Sequence, residues 1–344
     1  MDIAGRKVGR EHPPLVVVEL GINHGGSLRC AKELVDAAFI SGAEVVKHQT
    51  HIPDQEMSVE AKSVMPGNAD RSIYEVIASA SLSLSEEREL AAYVRSKGML
   101  YLSTPFSFAA VDFLEELEVP AFKIGSGECN NYPFVEYVAR RGKPVILSTG
   151  MNSIETIRPA VEIMRRCGVP YALLHCTNLY PTPARLVRLE AIKEVGAAFP
   201  DAVLGLSDHS VTNYPSLAAV ALGASILERH FTDSRERTGP DIVCSMTPDE
   251  LKELIHGSRI IHEASGSGKR LLEEERVTAA FAFASVVATR KLRKGERIDA
   301  DSITLKRPGG GGFGPKDFEA LIGSLVIEDV EENHQLSRSS VESR

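Results

Sequence analysis

The chain is poor in three things, and each shortage removes a class of protein. It has five cysteines, Cys30, Cys129, Cys167, Cys176 and Cys244, an odd number with no CxxC pair, which points to reduced thiols and away from a disulfide framework. No apolar run is long enough to span a bilayer, and the start, MDIAGRKVGREHPP, lacks the apolar stretch of a signal peptide. The cytoplasm is therefore the expected compartment. The chain is also short of positive charge, with a formal net charge of −8, which argues against a general binder of nucleic acid or membrane surfaces. An anionic substrate would have to be met by a local pocket of cations.

What is present is enough apolar sequence for a large core. With 344 residues, 43% hydrophobic and 25% charged, there is room for one big domain and a small one. Short β-branched runs recur: VVVELG (16–21), VVKHQT (45–50), LYLSTP (100–105), AFKIGS (121–126), PVILSTG (144–150), YALLHCT (171–177), VLGL (203–206) and SIL (225–227). Short apolar runs bounded by polar residues read as buried parallel strands. Amphipathic segments fall between them, such as SIETIRPAVEIMRRCG, with Ser153 as N-cap and Gly168 just past its end. Strand and helix units repeated eight times over about 250 residues are what a (β/α)₈ TIM barrel requires; an open doubly wound sheet seldom needs so many.

We therefore expect a barrel over residues 1–265, a linker over 266–280 (GSGKRLLEEERVTAA) and a small β-rich domain over 281–344. The last segment contains a repeat: LRKGERIDADSI (292–303) and VEENHQLSRSSV (330–341) place Gly295 and Asn333 at matching positions among apolar residues. Gly and Asn both tolerate left-handed backbone, so the two stretches are expected to form equivalent corners of a pseudo-symmetric domain.

Chemistry gathers at the predicted strand ends, where a parallel barrel carries its active site. His209 and His230 close two neighbouring runs and could share one divalent metal; two nitrogens are too few for a closed structural zinc site, so the other positions would go to water, carboxylate or substrate. Taken singly, each histidine could equally be hydrogen-bonded at a strand end. Lys47 and Lys123, with Thr104, Ser126, Ser148 and Ser207, supply charge and directed hydroxyls suited to a phosphate and a carboxylate. A lysine at a strand end can snorkel and a serine can cap a helix, but so many ionisable groups inside an apolar barrel would each cost desolvation without a use.

The motifs ELGINHGGSL, GAEVVKHQTH, PGNAD, STPFS, KIGSGECNNYP, LSTGMN, LLHCTNLYPTP, GLSDHS, LERHFT and GPDIVCSM resemble those of the bacterial sialic acid synthases. FAFASVVA and KRPGGG extend the resemblance into the antifreeze-like (SAF) domain of that family. It implies condensation of phosphoenolpyruvate with N-acetylmannosamine to give N-acetylneuraminate and phosphate, with a divalent metal, Mn²⁺ first and Mg²⁺ or Co²⁺ as alternatives. It assigns His209 and His230 to the metal. Lys47, Thr104, Lys123, Ser126, Ser148, Asn178 and Ser207 go to phosphoenolpyruvate; Glu19, Asn68, Tyr180 and Asp241 go to the sugar, with Gln49 and Phe281 in the substrate-binding set. Glu19 and Glu128 are the candidates for activating water, and Asp241 for holding a sugar hydroxyl or a water beside the metal. The resemblance further implies a two-fold, domain-swapped homodimer in which Arg307 reaches the partner's site.

One departure lies in the last corner, where Glu331-Glu332-Asn333 replaces a basic residue and glycine and a serine-rich tail follows. Rival readings are a Schiff-base aldolase with Lys123 as nucleophile, a carbohydrate- or ice-binding C-terminal module on a vestigial barrel, and the same condensation on the hexoses that lead to legionaminic or pseudaminic acid.

Overall fold

The structure, a computed structural model, describes residues 1–66 and 70–342. It divides into two compact units, Met1–Gly266 and Ser267–Arg344. The first begins with a hairpin, β1 (Asp2–Ile3) and β2 (Arg6–Lys7). Then come β3 (Leu15–Glu19), β4 (Val45–Thr50), β5 (Leu100–Pro105), β6 (Phe122–Ile124), β7 (Val145–Ser148), β8 (Tyr171–Cys176), β9 (Val203–Asp208) and β10 (Ile226–His230). These eight form one parallel sheet in the order β5-β4-β3-β10-β9-β8-β7-β6. Its two end strands, β5 and β6, lie side by side and close the barrel. The expected runs all became strands. The difference is at β9 and β10, which continue through Asp208 and His230, so these residues belong to the strands instead of following them.

Side chains alternate across a strand, and this parity sorts the barrel. Leu15, Val17, Val45, Leu102, Ala121, Ile146, Ala172, Leu174 and Ile226 pack together inside it, with Ile3 and Val8 from the N-terminal segment. Their neighbours one residue away, among them Val16, Val46, Tyr101, Phe122, Leu147, Leu173 and Leu227, join the core against the helices. The interior leaves no room for a side chain on β9 at Gly205: a Cβ there would lie 2.3 Å from Leu174 and 2.6 Å from the Ile226 carbonyl oxygen. The helices carry the expected stop and start signals. In Ile154–Arg166 the Thr156 hydroxyl accepts the Ser153 N–H at 2.9 Å, and Gly168 follows with φ +69.

In the second unit, the segment read as a linker carries a short turn, Glu273–Glu275, and a helix, Arg276–Ala282. After it, β11 (Ser285–Ala288) pairs with β12 (Ile303–Lys306), and β13 (Leu325–Val326) with β14 (Val341–Glu342). The sequence repeat is a structural one. Gly295 and Asn333 both take positive φ, +87 and +64. Each repeat then closes on the same serine turn, the Ser302 hydroxyl donating to the Asp299 carbonyl at 2.8 Å and the Ser340 hydroxyl to the Ser337 carbonyl at 2.9 Å. The acidic last corner is met by two lysines: Glu331 pairs with Lys291, and Lys306 donates to Asn333 Oδ1 at 2.6 Å. Among the described residues no helix is long and apolar enough to cross a membrane.

Candidate active site

The apolar layers of the barrel give way to a polar one at the C-terminal ends of its strands. Parity continues inward from Val17 to Glu19, from Val45 to Lys47 and Gln49, from Leu102 to Thr104, and from Ala121 to Lys123. Ile146 likewise leads to Ser148, Leu174 to Cys176, Gly205 to Ser207, and Ile226 to Glu228 and His230. All of these line one cavity of about 540 Å³, together with Phe106, Ser126, Asn178, Tyr180 and His209. The register brings the charged residues level: Glu19 is opposite Lys47 on one side and His230 on the other, and Glu228 is opposite Ser207.

Four of these groups form a buried, alternating charge cluster. Lys47 contacts Glu19 and lies 3.8 Å from Glu228, while Lys123 lies 3.5 Å from Glu228. Burial works against the charge on Lys47, yet Glu19 and Glu228 outweigh it and hold its pKa above the ordinary lysine value. Lys123 has the weaker support; burial pulls it below that value, with Glu228 opposing. Burial would raise the Glu228 carboxyl, but Lys123 and Lys47 hold it below the usual carboxylate range. The cluster therefore sets two lysines against two glutamates. An anion entering it must take the ammonium groups over from these carboxylates.

The polar side chains around the cluster are already aimed. Lys47 donates to Thr104 Oγ1 at 3.0 Å, Gln49 Nε2 to Glu19 Oε1 at 2.9 Å, and the Ser207 hydroxyl to Glu228 Oε1 at 3.1 Å. Ser126 accepts the Gly150 N–H at 3.0 Å. Gly150 itself is obligatory for closeness, since a Cβ there would lie 1.7 Å from Asn178 Oδ1. Burial pushes the Cys176 thiol up to about 11, so it lines the cavity as a protonated thiol that donates to Asn178 Oδ1 at 3.4 Å.

The two histidines stand at one edge, ring centroids 5.5 Å apart, with the Tyr180 ring 4.1 Å from His209 and 5.9 Å from His230. Because a carbonyl can only accept, His209 Nδ1–H donates to the Thr177 oxygen at 3.0 Å, which leaves its Nε2 as an unprotonated lone pair. Burial and the neighbouring His230 push His209 down to about 3, so the ring is neutral. His230 Nδ1 is buried with no hydrogen-bond partner among the described residues, as is the Ser148 hydroxyl. Both residues line the cavity, so these unpartnered atoms lie where a ligand could reach them. Asp241 Oδ2 is 3.7 Å from His230 Nδ1. Among the described residues no cluster of three or more His, Cys, Asp or Glu side chains is arranged to hold a metal. A cation here would have the two imidazoles and would draw its remaining ligands from water or substrate. The residues present fit that description.

Sequence reading and geometry part company at particular residues. Glu128 does not line the cavity: its carboxylate accepts Asn131 Nδ2 at 2.7 Å at the start of the next helix, whereas Glu19, the other carboxylate considered for activating water, does line it. Phe281 and Arg307 belong to the second unit and are exposed on it. Asn68 lies outside the described residues. Reasoning from strand ends missed Glu228, which shares a strand face with His230 two residues on and was legible from that spacing alone. It also missed Phe106, whose ring stacks on His51 at 4.4 Å. His24 and His48, both near strand ends, serve behind the wall: their Nε2 atoms are 3.1 Å apart, and His48 Nδ1 is 3.4 Å from Glu87. This chain of contacts ties the first strand-end loop to β4 and to the helix Leu84–Ser96.

Both units of the chain match known families. The chain matches the NeuB family over residues 34–270 and the SAF domain over residues 283–342. It is 34% identical to N-acetylneuraminate-9-phosphate synthase of Homo sapiens, over 98% of this chain and 95% of that one. It is 36% identical to N,N'-diacetyllegionaminic acid synthase of Campylobacter jejuni, over 93% of this chain and 97% of that one. Among solved structures, the N-acetylneuraminic acid synthetase of Leptospira borgpetersenii superposes with a TM-score of 0.74 at 29% identity, covering 81% of this chain and 94% of that one.

Proposed function

Since this chain belongs to the NeuB family and ends in a SAF domain, we propose that it condenses phosphoenolpyruvate with N-acetylmannosamine and water to give N-acetylneuraminate and phosphate. The observation that carries this is the single cavity in which two buried lysines, seven hydroxyl or amide side chains and two imidazoles converge. Lys47 and Lys123 hold the carboxylate and phosphate of the enol ester, exchanging their contacts with Glu19 and Glu228 for contacts with the ligand. Thr104, Ser126, Ser148, Asn178 and Ser207 fix its orientation. A divalent cation at His209 and His230 would polarise the acceptor aldehyde and neutralise the negative charge that develops on its oxygen.

The enol C3 then bonds to the aldehyde carbon, and water adds at C2. Glu19, which lines the cavity, accepts the proton lost by that water in this reading, and the former aldehyde oxygen gains one. Cleavage of the C2–O bond releases phosphate, so phosphoenolpyruvate, aldose and water are converted to a 3-deoxy-2-ulosonate and phosphate. The test is phosphate release from phosphoenolpyruvate with and without N-acetylmannosamine, before and after EDTA. A synthase releases phosphate only with acceptor and loses that activity in EDTA. A lysine aldolase would ignore the chelator, cleave N-acetylneuraminate, and be trapped by borohydride on Lys123.

Arg307 supplies a second expectation. It follows β12 on an exposed loop of the second unit and precedes the run Gly309 to Gly312. In the swapped homodimer proposed for this chain, it serves the partner's barrel. Arg307→Ala and His230→Ala homodimers are each expected to be inactive, whereas verified mixed dimers regain activity, because one barrel then has both its own histidines and the other chain's arginine. Mixed dimers as inactive as their parents would rule out the swap.

A further inference from the structure

The Glu19 carboxylate is held by a chain of side chains that leads out of the cavity. Its Oε1 accepts Gln49 Nε2 at 2.9 Å. Gln49 Oε1 in turn lies 3.1 Å from His51 Nε2, and His51 Nδ1 lies 3.0 Å from each Glu56 oxygen. Gln49 is on β4, His51 lies just past its end, and Glu56 closes the short helix Pro53–Glu56. The side chains of His51 and Glu56 are only 5% and 6% exposed, yet neither residue lines the cavity. The His51 ring is also fixed in its plane, stacked on Phe106 with 4.4 Å between centroids and 11° between planes.

The chemistry of the partners gives each contact a direction. A carboxylate accepts, so the Gln49 amide turns its N–H to Glu19 and its oxygen to His51. That oxygen accepts too, so His51 Nε2 carries a hydrogen, and one further proton lies between Nδ1 and Glu56. With the amide reversed, its oxygen would face the Glu19 carboxylate, acceptor against acceptor. His51 opposes that reversal, and Glu56 holds His51 in the orientation that does so. The proposed reaction makes this matter. Among the described residues, the Glu19 carboxylate has two hydrogen-bond or ion-pair partners, Lys47 and Gln49. Phosphoenolpyruvate takes over Lys47, after which Gln49 is the donor that still holds Glu19 in place.

We infer that His51 and Glu56 are positioning residues for the condensation: through the Gln49 amide they keep Glu19 aimed as the acceptor of the proton that the attacking water loses. The inference rests on the reaction proposed above, with Glu19 in that role. Neither residue touches substrate; both act through Gln49.

The experiment measures kcat, both KM values and the melting temperature, with phosphate release from phosphoenolpyruvate and N-acetylmannosamine as readout. His51→Leu removes the donor to Gln49 and should lower kcat at least about tenfold, while the KM for phosphoenolpyruvate, which sits on the lysines, stays within about twofold of wild type. Glu56 is then buried without its partner, so this variant should also melt lower. His51→Gln puts an amide N–H where Nε2–H stood and should bring turnover back to within about threefold of wild type. The double variant His51→Leu/Glu56→Leu leaves no orphaned charge, so it should melt close to wild type and still turn over at least about tenfold more slowly. A pair with a purely structural role would recover turnover together with stability. If His51→Gln is as slow as His51→Leu, if the folded double variant turns over at the wild-type rate, or if the loss appears in the KM for phosphoenolpyruvate instead of in kcat, the inference is overturned and the condensing activity stands. If the double variant does not fold, the two single variants decide. If the wild-type protein releases no phosphate from phosphoenolpyruvate with any N-acetylated hexose, the condensing activity itself falls, and the inference with it.

Discussion

His230→Ala is expected to yield a folded protein that no longer retains Mn²⁺ through desalting and whose turnover falls on the order of a hundredfold or more. A Lewis acid at a developing alkoxide contributes several kcal/mol, so losing it costs at least about that factor. The substitution breaks no hydrogen bond of His230 Nδ1, which has no partner among the described residues; its neighbour Asp241 Oδ2 lies 3.7 Å away. His209→Ala should abolish metal retention too, but it also strips the Thr177 carbonyl of its imidazole donor, so a lower melting temperature is expected for that variant. The measurements are metal content after gel filtration, thermal denaturation, and phosphate release with Mn²⁺ added back. Full activity in a metal-stripped His230→Ala enzyme would end the metal reading.

The lysine cluster predicts paired effects of opposite sign. Lys123→Met removes a cation from the anion site, and a charged contact is worth about 1.5–3 kcal/mol, so the KM for phosphoenolpyruvate should rise at least roughly tenfold while that for the sugar changes little. It also leaves Glu228 buried with Lys47 as its remaining ammonium partner at 3.8 Å. Breaking a buried pair by removing one partner costs about 3–5 kcal/mol, so the melting temperature should drop as well. Glu228→Gln acts on the other partner: it keeps an oxygen to accept the Ser207 hydroxyl but removes the negative charge beside both lysines, leaving Lys47 with Glu19 alone and Lys123 open to a ligand. That variant should be less stable than wild type when empty, regain stability as phosphoenolpyruvate is added, and show no rise in KM for phosphoenolpyruvate. Equal changes in both KM values for Lys123→Met, or a tenfold weaker affinity in Glu228→Gln, would mean that the anion does not sit on these lysines.

Features that depend on residues a few positions apart were legible without coordinates. The strand runs, the Ser153 cap, the positive-φ corners at Gly295 and Asn333, and the gathering of lysines and hydroxyls at strand ends all follow from local periodicity and turn chemistry, which neighbouring residues encode. Even Glu228 was within reach, because Ile226, Glu228 and His230 share one face of β10 by parity. Other assignments depended on which strands meet. Glu19 and Glu128 look alike as strand-end carboxylates, yet strand register puts Glu19 against Lys47 while a local bond to Asn131 turns Glu128 aside. His24 and His48 lie as near to strand ends as the cavity histidines do, yet they pair with each other and with Glu87 behind the wall. Ile73, Val76 and Ile77 of the helix Ile73–Ala80 share one recess with Tyr180, His230 and Asp241, which lie far from them in sequence. Period and propensity are written into each segment by itself. Barrel closure and register bring side chains together from strands tens to hundreds of residues apart, so only the tertiary structure decides which charges neutralise each other and which polar groups share one cavity.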